Sequence, residues 1–385
     1  MTVSRPEAPL ADVRVVEIGH SVAAPFCGLI LAGLGADVLK IEHPGKGDDA
    51  RAWGPPFVDG SAAVFHALNR DKRSAAIDLK DPGQRAALRT LILEQADVVV
   101  QNMRPGNLAR YGLDAASLRA EKPRLVYANL GAYGRRGPLA ERPGYDPLMQ
   151  AFGGVMSITG EDGREPVRVG PSLIDQGTGM WAALGIVAAL RRRELTGEGC
   201  EVDTSLFETA LGWVGIHAAV FAASGEVPRR LGSENQTIAP YKAFRAADDW
   251  LIIAAGNDGL FRKLAAVLGR PALADEPAFR TNPDRVAHRE RLNALVAEIV
   301  AGQPRAHWIE VLEAAGIPCA PLQSIDQVSV HPQTRAVGML QALPGEELKL
   351  MGLPIQFDGV RPPYRSAPPR LGEHTPDEVA QDAAK

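Results

Sequence analysis

The sequence predicts an α/β fold, with a large parallel-sheet domain carrying helices on its faces and a smaller α+β domain after it. Two observations lead there. Short β-rich runs alternate with helical stretches through the first third of the chain, the pattern of a strand, a crossover helix and the next parallel strand. From about Gly225 the texture changes to a hairpin followed by polar helices, which marks a second domain. A chain of 385 residues, 45% of them apolar, is long enough to bury two such cores.

Taken in order, Val13–Ile18, Asp37–Ile41, Ser74–Leu79, Asp97–Val100 and Leu125–Asn129 read as the strands of a Rossmann-like sheet. Pro25–Gly35 and Pro82–Gln95 read as helices between them. A helix opening near Asp175 runs to about Arg193, is apolar almost all round, and is therefore expected to be buried; Thr196-Gly197 ends it. Tyr241–Arg245 and Trp250–Ala255 form the expected hairpin, with Asp248-Asp249 at its turn and polar helices continuing to Ala315. The Pro-rich stretch Arg361–Pro369 reads as a surface strap.

Composition excludes several function classes. A formal charge of −4 offers no basic face for nucleic acid or an anionic membrane. Cys27, Cys200 and Cys319 are few, odd in number and far apart, which argues for a reducing compartment and against a disulfide framework. The eight histidines show no metal-ligand spacing, so no metal is expected. The first residues lack an apolar signal core, and no later apolar run reaches the roughly 20 residues of a membrane span; a cytoplasmic location follows as an expectation. The first loop, Glu17–Pro25, lacks the glycine spacing of a dinucleotide fingerprint, and Gly45-Lys-Gly47 reads as a turn. No Walker motif, zinc-protease helix or serine-hydrolase elbow is present.

One residue stands out chemically. Asp175 is a lone carboxylate at the mouth of an apolar helix, with Gly177 and Gly179 close behind it. Asp is a preferred helix N-cap, so its oxygens have a structural use open to them on the amides of the next turn. The other use is nucleophilic: with a reference pKa of about 4 a carboxylate is ionised at neutral pH and can attack an activated carbonyl unaided.

The whole segment Arg168-Val-Gly-Pro-Ser-Leu-Ile-Asp-Gln-Gly-Thr-Gly resembles the signature of the class III CoA-transferases, the CaiB/BaiF type that includes formyl-CoA transferase. Val15–Pro25, Leu31–Pro44, Asn69–Ser74, Asp97–Gly106, Gly144-Tyr-Asp and Leu371–Thr375 follow in the family's order, so the resemblance spans Val13 to Glu373. It implies that Asp175 is the nucleophile and that the chain is an enzyme moving CoA from an acyl-CoA to a carboxylic acid. The steps would pass through an aspartyl mixed anhydride and an enzyme-bound CoA thioester. No cofactor is held permanently; CoA and acyl-CoA are substrates. Family members also form interlocked homodimers and carry a Gly-Ile-Pro-Cys step, here Gly316–Cys319, where the chain returns to the large domain. That gives domains over 1–224, 225–316 and 317–385.

Open parallel sheets bind ligands beyond the carboxyl ends of their strands, here the loops after Ile18, Ile41, Leu79 and Val100. Carried over from formyl-CoA transferase by position, the CoA contacts fall at Val22, Ala23, His43, Ile77, Lys80, Asn102, Met103, Arg104 and Arg110, with Arg142 and Tyr145 beside them. Lys80, Arg104 and Arg110 would answer the CoA phosphates. His43 departs from the family's Arg there, replacing a fixed charge by a titratable one. Amides near Gly177 and Gly179 are candidates for stabilising developing oxyanions.

Two alternatives differ in class. An α-methylacyl-CoA racemase shares the likeness but pairs its Asp with a His where this chain has Tyr145, a phenol of reference pKa about 10 and a poor acid/base partner. A non-catalytic acyl-CoA-binding protein would not need Asp175 with its glycine flank. For the acceptor, the glycine-rich loop of formyl-CoA transferase has no counterpart between Arg229 and Tyr241. Ile238–Phe244 and Ala254–Asp258 instead resemble members that act on dicarboxylates such as succinate and glutarate-type acids, with succinyl-CoA or a similar donor.

Overall fold

A computed structural model describes residues 8–343 and 347–375. The chain divides into two compact units. The first takes the chain up to Val155, Arg168–Gly225 and the chain from Pro332 onward; the second takes Met156–Val167 and Glu226–His331.

The first unit is built on six parallel strands: β1 (Arg14–Ile18), β2 (Asp37–Glu42), β3 (Arg73–Ala76), β4 (Val98–Gln101), β5 (Val126–Gly131) and β6 (Glu201–Ser205). Their order is β3-β2-β1-β4-β5-β6, the doubly wound arrangement in which the chain reverses direction across the sheet between β1 and β4. Successive strand residues point to opposite faces, so each face collects its own core. Val15, Val38, Val98 and Val126 meet α1 (Ala23–Gly33) on one side. Val16, Leu39, Val99 and Tyr127 meet α2 (Pro82–Gln95) on the other. The sequence picks out five of these strands to within a few residues. The sixth, Glu-Val-Asp-Thr-Ser, lies at the sheet edge against β5 and has no apolar run to announce it.

Helix α3 (Asp146–Phe152), α4 (Leu173–Thr196), α5 (Leu206–Trp213) and α6 (Gly215–Ser224) complete this unit's main elements. Gly197, at φ +80°, closes α4 in the left-handed region as expected. The expectation that α4 is buried all round is corrected. Ile174, Ala182, Ala183, Ile186 and Leu190 are buried, but Met180, Trp181, Leu184 and Val187 repeat at helical spacing on the opposite face and are 42%, 42%, 59% and 37% exposed. At 24 residues, α4 is also long and apolar enough to cross a membrane by length and composition, contrary to the sequence expectation of no such run. Half of its most apolar window is buried inside the fold, where α4 crosses α1 and lies on β5 and β6; this is the setting of a core helix.

The second unit holds the expected hairpin, β7 (Tyr241–Arg245) against β8 (Trp250–Ala254), and adds β9 (Cys319–Pro321) on the far side of β8. Helices α7 (Asp258–Val267), α8 (Arg289–Val300) and α9 (Arg305–Ala314) supply Phe261, Leu264, Leu292, Val296 and Leu312 to its core. Because Cys319–Pro321 completes this sheet, the crossing back to the first unit lies at His331–Pro332, not at Ile317, and Met156–Val167 also belongs here. The strap is present: Arg51 donates to the carbonyl of Pro369, and Asp71 accepts the amides of Arg365 and Ser366.

Candidate active site

A cavity of about 420 Å³ opens at the carboxyl ends of β1, β2, β3 and β4, beside the point where the strand order reverses. That volume falls within the range of small-molecule sites, and the position is the one open α/β sheets use for ligands. His43, Ile77, Lys80, Met103 and Arg110, all read from the sequence as candidate CoA contacts, line it. Ile77 is buried as an apolar wall; Lys80 and Arg110 are exposed and, among the described residues, form no ion pair. Their charges are therefore free for an anionic ligand. His43 is exposed, and its Nδ1 lies 2.5 Å from the Pro44 carbonyl oxygen, which makes Nδ1 the donor and leaves Nε2 as the group a ligand would meet.

The remaining expected contacts do not line the cavity. Asn102 is used structurally: its Oδ1 accepts the His20 amide at 3.0 Å and its Nδ2 donates to the His20 carbonyl at 2.8 Å, so it shapes the loop that reaches the cavity. Val22 and Ala23 are buried at the start of α1. Arg104 and Arg142 are exposed, and Tyr145, immediately before α3, is 61% exposed. Sequence reading missed Gly19, His20, Lys46 and Tyr111, which line the cavity from loops whose course only the fold reveals.

A buried ionic network fixes this end of the sheet. Lys40 Nζ donates to Glu17 Oε1 and to the Gly19 carbonyl and forms an ion pair with Asp48, each at 2.8 Å; Lys72 Nζ donates to Glu17 Oε2, also at 2.8 Å. Asp48 in turn accepts the amide of Ser21, a residue at φ +70°. Burial alone would discourage the Lys40 charge, but Glu17, Asp48 and Glu42 around it hold its ammonium above the usual lysine range. Burial dominates at Lys72 and lowers it to about 8 despite Glu17. Removing one member of such a network leaves uncompensated buried charge, at about 3–5 kcal/mol.

Asp175 is the third residue of α4 and does not cap it, since Ser172 holds the cap position without a side-chain bond. The cap comes from another helix. Asp146 Oδ2 accepts the backbone N–H of Ile174 at 2.7 Å and of Asp175 at 3.2 Å, and Gln150 Nε2 donates to Asp146 Oδ1 at 2.5 Å. The Asp175 side chain accepts no hydrogen bond among the described residues. Burial, with the nearby Asp146 charge added, raises its carboxyl from 3.8 to about 7. A helix N-terminus opposes this by about 0.3–1 kcal/mol, which is under one pKa unit and does not reverse the direction. The expectation of a carboxylate fully ionised at neutral pH is thereby corrected: Asp175 is poised near neutrality. The sequence reading gave Asp146 no role beyond its place in Gly144-Tyr-Asp, although Asp-Pro at 146–147 carries the signal of a helix start.

The two glycines behind Asp175 serve packing. A Cβ on Gly179 would stand 2.5 Å from the Ala23 carbonyl oxygen and 3.0 Å from the Cys27 nitrogen; one on Gly177 would stand 2.9 Å from Trp213 Nε1. Both amides lie inside α4, where the helix itself uses them, so they are poor oxyanion donors. The close approach has a second consequence. The loop that lines the cavity with Gly19 and His20 runs on through Val22 to Ala23, which touches α4 one turn beyond Asp175. Backbone alone thus joins the cavity wall to the helix that carries the carboxylate.

The model of CoA-transferase family III matches residues 10–375. This chain belongs to that family. It is 38% identical over 97% of its length to succinate–glutarate CoA-transferase of Agrobacterium fabrum, covering 95% of that protein. It is equally 38% identical to acetyl-CoA:oxalate CoA-transferase of Acetobacter aceti, over 97% of this chain and 95% of the relative. Among solved structures, a CaiB/BaiF family protein from Brucella suis superposes with a TM-score of 0.87 at 40% identity, over 98% of this chain and 99% of that one. As a family III CoA-transferase, the protein transfers CoA between an acyl-CoA and a carboxylate and takes CoA as substrate. Among the described residues, no group of three or more His, Cys, Asp or Glu is arranged to hold a metal ion.

Proposed function

We propose that this transferase exchanges CoA between dicarboxylic acids, with Asp175 as the covalent nucleophile. The observation that carries the proposal is a half-buried carboxylate, free of hydrogen bonds among the described residues, in the first turn of a helix that meets the cavity loop one turn further on. The ionised carboxylate attacks the thioester carbonyl of the donor, giving an aspartyl mixed anhydride and CoA thiolate. The thiolate attacks the aspartyl carbonyl, releasing the donor acid and leaving CoA as a thioester on Asp175. The acceptor carboxylate attacks that thioester and frees thiolate, which then takes the acyl group and restores Asp175.

CoA is placed with its adenosine and phosphates toward the cavity between β1 and β4, where Lys80, Arg110 and His43 offer charge and Ile77 and Met103 an apolar wall. The dicarboxylate preference draws on the relatives, whose names pair succinate with glutarate or name oxalate as acceptor. The succinyl donor, the interlocked homodimer and a cytoplasmic setting belong to the same proposal. A second copy supplies the natural cover for the exposed stripe Met180, Trp181, Leu184 and Val187 of α4. The racemase alternative loses ground to Tyr145, exposed and weakly acidic.

The test is an intact-mass spectrum after mixing with acyl-CoA, followed by hydroxylamine trapping and a screen of acyl donors against carboxylic acids. An adduct at Asp175 and exchange among dicarboxylates are expected. Reversible binding without an adduct would indicate a binder. Adduct formation with exchange confined to monocarboxylates would reject the dicarboxylate assignment.

A further inference from the structure

We propose that Asp146 is a positioning residue for Asp175, capping helix α4 from a neighbouring helix and holding a second carboxyl group beside the nucleophile. The geometry is specific. Asp146 is 3% exposed and receives three hydrogen bonds, two of them from the N–H groups of Ile174 and Asp175 that α4 leaves without intrahelical partners. Asp175 receives none among the described residues, so the donors at this end of α4 are all spent on Asp146. The same contact does two things: it locks the backbone of the nucleophile, and it holds a like charge beside it.

Other charged and titratable groups on the packed elements do not take this role. Glu208 on α5 is bonded to Ser205 Oγ at 2.6 Å. Cys27 on α1 answers to Glu17 and Lys72, and Tyr127 on β5 donates to the Leu113 carbonyl. Glu201 and Asp203 on β6 face Arg135. Arg168 donates to the carbonyls of Val169 and Gly170, and Arg191, Arg192, Arg193 and Glu194 sit at the other end of α4. Tyr145 precedes Asp146 and is largely exposed. Burial and Asp146 are the two causes acting on Asp175.

The inference rests on Asp175 as nucleophile for its activity readout alone. Its primary test titrates the Asp175 carboxyl in the substrate-free protein by carbon-13 NMR, assigned by difference from Asp175→Asn. Asp146→Asn keeps an acceptor for the two amides without the charge; Asp146→Ser keeps one on a shorter side chain, and carries the test if the Asn variant does not fold. The neutral variants are expected to lower the midpoint by a unit or more, about tenfold more carboxylate at acidic pH. The acidic limb of kcat should move with it. A midpoint and pH profile superimposable on wild type would reduce Asp146 to a structural cap and overturn the proposal. If the midpoint drops while wild-type protein shows no transfer, the functional proposal fails and the Asp146 inference stands. If wild-type protein transfers CoA while the midpoint stays unmoved in the variants, the functional proposal stands and the Asp146 inference fails.

Discussion

The carboxylate of Asp146 accepts the backbone N–H of Asp175 at 3.2 Å, while the side chain of Asp175 is left without a hydrogen bond among the described residues. The side-chain cap that Ser172, at the cap position, does not make is supplied from α3. The Asp175 carboxylate has no structural hydrogen bond to give up, as the proposed attack on a thioester carbonyl requires.

Asp175→Asn keeps the shape and the helix but cannot form an anhydride. Transfer should fall by at least about 10³-fold, ~4 kcal/mol in activation free energy, with circular dichroism unchanged. Activity within tenfold of wild type would remove Asp175 from the mechanism.

The raised carboxyl of Asp175 also enters the pH dependence. Transfer requires the anion, so kcat should climb as pH rises through about 7. Stability has the opposite sign: between the unfolded value of 3.8 and about 7 the folded state binds the extra proton, so this group's contribution is present at acidic pH and lost as pH rises. Asp175→Asn should consequently melt above wild type at pH 8, by on the order of 1–2 kcal/mol after allowance for partial exposure, and converge with it near pH 4. Thermal melts of both proteins across that range decide; parallel curves would contradict the shift.

His43 offers its Nε2 to the cavity because Nδ1 is taken by the Pro44 carbonyl. A CoA phosphate beside Nε2 would gain from the fixed charge and forked donors of a guanidinium in its place. His43→Arg should therefore bind CoA more tightly than wild type. Calorimetric titration of CoA into both proteins checks this, and identical affinities would exclude His43 from the contact.

Gly179→Ala places a methyl group 2.5 Å from a backbone oxygen of α1, which has no rotamer by which to yield. The variant should lose about 1–3 kcal/mol and lower kcat through displacement of α4. Gly177→Ala meets side chains only, Thr209 Cγ2 and the Trp213 ring each at 2.9 Å, with no backbone atom in the way, and should cost less. Equal melting temperatures for the two variants would argue against a rigid α1–α4 crossing.

By itself the sequence determined the parallel sheet and the hairpin, and it singled out Asp175 as the candidate nucleophile. Each rests on local information: short β-rich runs set between helical stretches, a turn between paired runs, and a signature contiguous in the chain. Helix α4 shows where that stops, since apolar periodicity cannot say which side of a helix will meet the sheet, and Met180, Trp181, Leu184 and Val187 were left outside. The edge strand Glu201–Ser205 takes its state from pairing with β5, a contact across some 70 residues of chain that its own composition does not express. The tertiary structure alone decided the ionisation of Asp175. Burial and a carboxylate from Asp146 act through space across 29 positions, and the free energy of an ion depends on what surrounds it, not on what adjoins it in sequence.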